Sequence, residues 1–196
     1  MDTFLHNTIS IGSSNKSRIK LSSPLQRDSV VDGPGLRTVI WTQGCVHNCP
    51  GCHNPETHSF IGGFYENVDS ICKNIKMWRQ NITFSGGDPM LQAKQCARIA
   101  NYAKTLGLTA WAYTGYSIEY LLENFNNNGA IRSILDNIDR LVDGKFDISK
   151  KSMDCSFRGS TNQRIIDVPK TLANFESGLP SYVVIDNSYD LDIQGE

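Results

Sequence analysis

Three cysteines fall within eight residues, Cys45-Val46-His47-Asn48-Cys49-Pro50-Gly51-Cys52, with no fourth beside them. Thiolates are the soft ligands that hold iron–sulfur clusters, and a four-iron cubane ordinarily takes four of them. Three thiolates leave one iron without a protein ligand. An open metal position is where a substrate or cofactor binds, by the logic that separates catalytic from structural zinc sites. The competing reading is a structural zinc site in which His47, His53 or His58 completes the set. A zinc knuckle usually staples a module that lacks its own core, whereas this loop sits inside a chain able to fold unaided. The spacing therefore favours a reactive cluster.

Two further segments have chemistry-bearing composition. Thr83-Phe84-Ser85-Gly86-Gly87-Asp88-Pro89 is a strand running into paired glycines, where missing side chains let backbone N–H and C=O groups approach a ligand. Asp88 suits either a cation or ammonium group, or the cap of a helix starting near Met90. Asp143-Gly144-Lys145 follows another strand-like run, and its lysine would give a carboxylate a charge-assisted hydrogen bond. Arg158-Gly159-Ser160-Thr161-Asn162-Gln163 has no mechanism legible from residue types alone. Cys72 and Cys96 lie on apolar helical faces and read as buried small hydrophobes. No acid–base dyad stands out.

The elements that must position these loops follow from pattern. Leu36–Trp41, Ile82–Phe84, Leu108–Tyr113 and Arg140–Val142 are β-branched or aromatic runs and predict strands. Val68, Ile71, Ile75 and Trp78, then Cys96, Ile99, Ala103 and Leu106, recur at helical steps, and a third helical region spans 117–138 with a break at 126–129. Strand and helix alternate, which predicts a parallel α/β sheet with right-handed crossovers. Four βα units are too few to close an eight-stranded barrel, so the expectation is an open partial barrel with its helices outside. Ligands gather at the C-terminal strand ends of such folds. The cysteine loop, Gly86–Gly87, Thr114–Gly115 and Asp143–Lys145 would all sit on that one rim.

Composition bounds the rest. The 196 residues suit one domain over 19–177, after a weakly ordered lead-in (1–18) that holds at most a short strand near Ile19–Leu21. Residues 178–196 form an extension whose apolar Tyr182–Ile185 suits an edge strand. A net charge of −1 argues against a nucleic-acid footprint. There is no run of the roughly 20 apolar residues a membrane span needs, and no signal peptide at the start. The six cysteines therefore point to metal or redox chemistry in a reducing cytoplasm.

The CxxxCxxC loop after the first strand and the Gly-Gly-Asp-Pro turn after the second resemble the radical S-adenosylmethionine superfamily. Further segments narrow the resemblance: Asp32–Thr38, Cys52–His58, Trp111–Tyr116, Val142–Phe146 and Arg158–Gln163 are similar to the activating proteins of anaerobic ribonucleoside-triphosphate reductase. The likeness runs from about Leu21 to Leu172. The lead-in is longer than the family needs, and residues 178–196 have no counterpart in it. The resemblance implies a [4Fe–4S] cluster on Cys45, Cys49 and Cys52, whose fourth iron chelates the amino and carboxylate groups of S-adenosylmethionine. Reductive cleavage of the sulfonium would give a 5′-deoxyadenosyl radical, which takes hydrogen from a glycine of the reductase. It also implies cofactor contacts from Gly51, Cys52 and His53, from Gly86, Gly87 and Asp88, and from Asp143, Gly144 and Lys145, with Thr114 nearby. The implied partners are the reductase and a low-potential electron donor such as flavodoxin or ferredoxin. Two rivals stand beside this reading: an activase of another glycyl-radical enzyme such as pyruvate formate-lyase, and a non-enzymatic zinc-binding interaction module.

Overall fold

The computed structural model describes residues 17–179 and 182–185. Most of the N-terminal lead-in, and the extension beyond residue 185, lie outside the described residues. In chain order the elements are β1 (Arg18–Leu21), β2 (Gln26–Ser29), β3 (Arg37–Thr42), β4 (Phe64–Asn67), α1 (Val68–Trp78), β5 (Asn81–Gly86), α2 (Ala93–Thr105), β6 (Ala110–Tyr113), α3 (Ile118–Glu123), α4 (Gly129–Leu135), β7 (Arg140–Asp143), β8 (Arg164–Asp167) and α5 (Val168–Glu176).

These form one eight-stranded sheet in the order β4-β1-β3-β5-β6-β7-β8, with β2 also paired to β3. The central four strands, β3, β5, β6 and β7, are parallel, pairing Ile40 with Phe84, Phe84 with Ala112 and Ala112 with Leu141. These are the four strands that the apolar runs predict. The strands that alternation did not anticipate are antiparallel: β1, β2 and β4 on one side, β8 on the other. Beyond β8, the Ile185 N–H donates to Ile165 O (2.8 Å) and the Asp167 N–H to Val183 O (2.8 Å), so residues 183–185 run along that edge.

The pleat sorts side chains by face. Ile40, Ile82, Phe84, Ala110, Ala112, Leu141 and Ile166 pack in one buried cluster with Ile71, Ile75, Ile99, Ala103 and Ile134 of the helices. Removing a buried aromatic such as Phe84 would cost about 3–5 kcal/mol. The alternate residues, Trp111, Val142 and Ile165, form a second cluster on the opposite face with Tyr113 and Phe157. That face also buries Arg37 completely. Its Nε donates to Thr83 Oγ1 (2.7 Å) and its Nη2 to Ile82 O (2.5 Å), and its guanidinium lies 5.4 Å from the centre of the Trp111 ring. Burial lowers the Arg37 guanidinium to about 10.

Local chemistry sets the helix ends. Asn67 caps α1 by accepting from the Asp69 N–H, Ser117 caps α3, and Asn128 caps α4. The Asn-rich break between α3 and α4 is thus a helix stop followed by a fresh cap.

Candidate active site

All the loops that leave the parallel strands at their C-terminal ends meet in one cavity of about 600 Å³ on the face without helices. Its lining includes Cys45, Cys49, Cys52, Gly87, Thr114 and Gly144, one or more from each loop. A volume of this size suits a ligand of cofactor dimensions.

The cysteine loop is closed on itself by backbone. The Gly44 N–H donates to Thr57 O (2.8 Å) and the Cys45 N–H to His58 O (3.1 Å). Cys45, Cys49 and Cys52 are half-buried, free thiols. The Asn54 N–H points at Cys52 Sγ (3.4 Å), the kind of amide–sulfur contact that tunes iron–sulfur clusters. Burial pushes the Cys45 thiol up, the His47 N–H opposes that, and the nearby Asp88 charge adds a further upward push. The donor set, three half-buried thiols around a cavity with an amide on one sulfur, fits an iron–sulfur group.

The Gly86–Asp88 turn lines the cavity and also packs on the cysteine loop. The nearest neighbour of the Gly87 α-carbon is backbone: a side-chain carbon there would come within 2.8 Å of Gly44 C and 2.9 Å of Gly44 N, and closer still to the carbonyl oxygen. The Gly87 N–H donates to Thr42 O (2.7 Å) and the Asp88 N–H to Gly44 O (2.8 Å). The paired glycines let this turn lock onto the cysteine loop, a contact between loops that composition alone could not distinguish from ligand approach.

Asp88 is 1% exposed and fully engaged. Its carboxylate accepts from the Met90 N–H (2.9 Å), the Thr114 hydroxyl (2.9 and 3.0 Å), the Gly115 N–H (3.1 Å) and His47 Nε2 (2.7 Å). It caps the turn at Pro89–Gln92 that leads into α2. Its side chain therefore holds loops together where it borders the cavity. Thr114 lines the cavity but spends its hydroxyl on the same carboxylate.

The remaining residues divide. Cys52 and His53 line the cavity, with the His53 ring 5.1 Å from that of Phe146, whereas Gly51 packs against Ile148. Gly144 lines it too, its N–H donating to Tyr116 O (3.0 Å). Asp143 does not. It is buried, accepts from the Ile118 N–H (2.7 Å), and pairs with Arg164 through Nε (3.0 Å) and Nη2 (2.5 Å). Arg164 also forks onto Glu119 (2.8 Å to each oxygen). Asp143 is thus the anchor of α3 and β8, a role its place at a strand end did not reveal. Lys145 is exposed, and its carbonyl accepts from Asn162 Nδ2 (2.9 Å).

The Arg158–Gln163 segment acquires a mechanism here. Gln163 Oε1 accepts from the Gly159 and Ser160 N–H groups (2.9 and 3.3 Å), while its Nε2 donates to Gly144 O (3.0 Å). Asn162 and Gln163 thereby hold the 144–145 turn from behind, with Phe146 resting on Gly159. His47 is a loop hydrogen-bonder, and its side chain is nearly buried. A lone loop histidine carries no signal of burial, and only the tertiary position of Asp88 reveals its partner.

The family model for a 4Fe–4S single cluster domain matches residues 31–166. The anaerobic ribonucleoside-triphosphate reductase-activating protein of Escherichia coli K12 is 34% identical over 146 residues, covering 68% of this chain and 90% of that protein. The protein of the same name from Vibrio cholerae is 36% identical over 146 residues (69% and 90%), and that from phage T4 is 29% identical over 143 (69% and 86%). Among solved structures, QueE from Escherichia coli aligns over 54% of this chain and 58% of its own, at 12% identity and a TM-score of 0.41, too slight a likeness to carry an argument.

Proposed function

Since the chain belongs to the anaerobic ribonucleoside-triphosphate reductase-activating proteins, a 4Fe–4S single cluster family, we propose that it is the enzyme that installs a glycyl radical on an anaerobic ribonucleoside-triphosphate reductase. In this reading the sheet acts as an open partial barrel, Cys45, Cys49 and Cys52 hold a [4Fe–4S] cluster, and S-adenosylmethionine occupies the 600 Å³ cavity beside them. When bound, the cluster would supply the one electron that splits the sulfonium of S-adenosylmethionine into methionine and a 5′-deoxyadenosyl radical able to take a hydrogen atom from a glycine Cα.

The chain's own residues orient and shield. His53 and Gly144 face the cofactor across the cavity, and Phe146, backed by Gly159 and Gln163, forms its wall. The cofactor contacts expected from Asp88, Asp143 and Lys145 pass to backbone groups of their turns, because the two carboxylates are held by internal hydrogen bonds and the lysine is exposed, outside the cavity lining. Gly86 and Gly87 fix the height of the cysteine loop above the sheet. No side chain is required to move a proton.

The observation that carries the reading is the convergence of the three thiols and of the turns after β5, β6 and β7 on one open cavity. The test is electron paramagnetic resonance. Anaerobically reconstituted protein, a low-potential reductant such as reduced flavodoxin and S-adenosylmethionine should produce a glycyl radical on an anaerobic ribonucleotide reductase. A radical formed on pyruvate formate-lyase but not on the reductase would reassign the partner. Purified protein carrying about one zinc and no sulfide would end the proposal.

A further inference from the structure

His47 lies midway between two of the three cysteines and borders the same cavity, yet its ring is sheltered from solvent. Its side chain is 6% exposed and that of its partner Asp88 1%. The Asp88 carboxylate already accepts from Met90, Thr114 and Gly115, so it is the acceptor in this contact too, and the proton sits on His47 Nε2. The ring is wedged from two further directions. Tyr116 meets it edge-on, with ring centres 4.5 Å apart, and Gly115 lies so close that a side-chain carbon there would come within 2.5 Å of His47 Cγ. The turn after β6 is thus shaped to receive this one imidazole.

We infer that His47 is a positioning residue: its bond to Asp88, in the slot left by Gly115, sets the distance between the cysteine loop and the turns after β5 and β6. The inference rests on the proposed function for what the distance controls, namely the reach from the cluster to cofactor held by those turns. It does not rest on that function for the tether itself. A displacement of about 1 Å at a reacting centre can cost about a hundred-fold in rate. Buried hydrogen bonds to a charged group are among the few contacts strong enough to hold a loop to that tolerance.

The test uses anaerobically reconstituted protein and three variants. His47→Ala should keep iron and sulfide at wild-type content, because the cysteines are untouched. Its calorimetric affinity for S-adenosylmethionine should fall about ten- to a hundred-fold, the range of a lost hydrogen bond to a charged partner. The change that the cofactor induces in the paramagnetic spectrum of the reduced cluster should shrink with it. His47→Gln, which keeps a donor, should recover most of both. Gly115→Ala, which fills the slot from the other side, should behave like His47→Ala. Those spectroscopic and affinity readouts would stay put if the histidine merely stabilised the fold. Hydrogen exchange reads the tether without any cofactor: amides of 44–49 and 114–116 should exchange faster in His47→Ala than in wild type.

Unchanged affinity and unchanged exchange in His47→Ala would overturn the inference. So would loss of iron from both His47→Ala and Gly115→Ala, since the histidine would then be supporting the cluster itself. Should His47→Ala unfold at the assay temperature, His47→Gln and Gly115→Ala decide by the same readouts. A wild-type spectrum indifferent to S-adenosylmethionine would sink the proposed function instead, and the exchange experiment would still decide the tether.

Discussion

Replacing Gly87 with alanine adds a single methyl group at the tightest contact between two functional loops. The new carbon would lie 2.8 Å from Gly44 C, against about 3.5 Å for an ordinary carbon contact, so the Gly44 peptide must retreat by at least about 0.7 Å. Gly87 is not among the residues at positive φ, so the effect is steric and backbone strain does not confuse it. The retreat stretches the Asp88 N–H bond to Gly44 O (2.8 Å) and disturbs the Gly44 N–H bond to Thr57 O (2.8 Å). Overpacking costs about 1–3 kcal/mol and each weakened bond up to about 1 kcal/mol, so a loss of about 2–4 kcal/mol is expected. At about 2–4 °C per kcal/mol for a chain of this size, Tm should fall by roughly 5–15 °C. Gly44 directly precedes Cys45, so iron and sulfide per chain should fall as well. The control is Gly129→Ala, at the first residue of α4 with open space around it, which should stay within about 0.5 kcal/mol of wild type. Thermal melting and iron–sulfide analysis of anaerobically prepared protein decide it. A Gly87→Ala protein with wild-type Tm and iron would refute the clamp. Normal iron with lost cofactor affinity would return Gly87 to the role its composition suggested, a surface for close ligand approach.

Ala at Cys45, Cys49 or Cys52 should remove the cluster absorption and S-adenosylmethionine cleavage, while Cys72→Ala and the fully buried Cys96→Ala should keep both; iron retained in Cys49→Ala would overturn the ligand set. Glu119 is held down to about 2 by its hydrogen bonds to Arg164, so the pair contributes stability above about pH 4.5 that fades as pH falls toward 2. Its partial exposure keeps that contribution to about 1 kcal/mol, and the Tm gap between wild type and Glu119→Gln should be constant near neutrality and close in acid. Gln163→Ala should free the carbonyl of Gly144 and raise hydrogen exchange across 144–147 without loss of iron; an unchanged exchange pattern would count against the supporting role of that segment. Adding reductase should protect the turn that bears the exposed Val30 and Val31, together with residues 54–58, whereas protection confined to the N-terminal strand ends would refute docking at the rim.

How much of this was legible in the residues depended on whether a signal was local. The four parallel strands were, because each is a short apolar run that the sheet buries on both faces. The helix break at 126–129 was also legible, since an Asn-rich stretch both stops one helix and caps the next. The antiparallel edges were not. β4 is Phe64-Tyr65-Glu66-Asn67, largely exposed, and β8 is a pair of isoleucines between charged residues, so neither has a period long enough to register. Among site residues, the cysteines could be read because ligand chemistry is a property of residue type and spacing. Asp88 was legible only as a choice between a ligand group and a helix cap, of which the cap is present, while the pairing of Asp143 with Arg164 could not be read, because a carboxylate at a strand end looks the same whether it faces a ligand or an arginine. Arg37 is the converse case. A charged residue at the head of a strand, it lies fully buried against Thr83 and Trp111.

That difference has a physical source with a bearing on the chemistry. If the reactive species is a carbon radical, as the proposed function has it, the enzyme gains little from acids and bases, and much from loops that do not move. The charged residues that sequence reading offered as ligand contacts are largely spent on fixing those loops to one another. Asp88 ties the turns after β3, β5 and β6 together, and Asp143 with Arg164 ties the turn after β7 to α3 and β8. The cavity presents backbone, thiol and aromatic surface to its occupant (Gly87, Gly144, Cys52, His53 and Phe146) beside polar side chains such as Asp32, Lys151 and Arg158. Substitutions at Asp88 should therefore act through the positions of His47, Thr114 and Gly115. An Asp88→Asn variant keeps the acceptor for Met90 but turns one oxygen into a donor, and Thr114, His47 and Gly115 then compete for what remains. Its defect should track that of His47→Ala in cofactor affinity, with little loss of α2. A defect limited to melting temperature would instead mean that the carboxylate is only a helix cap.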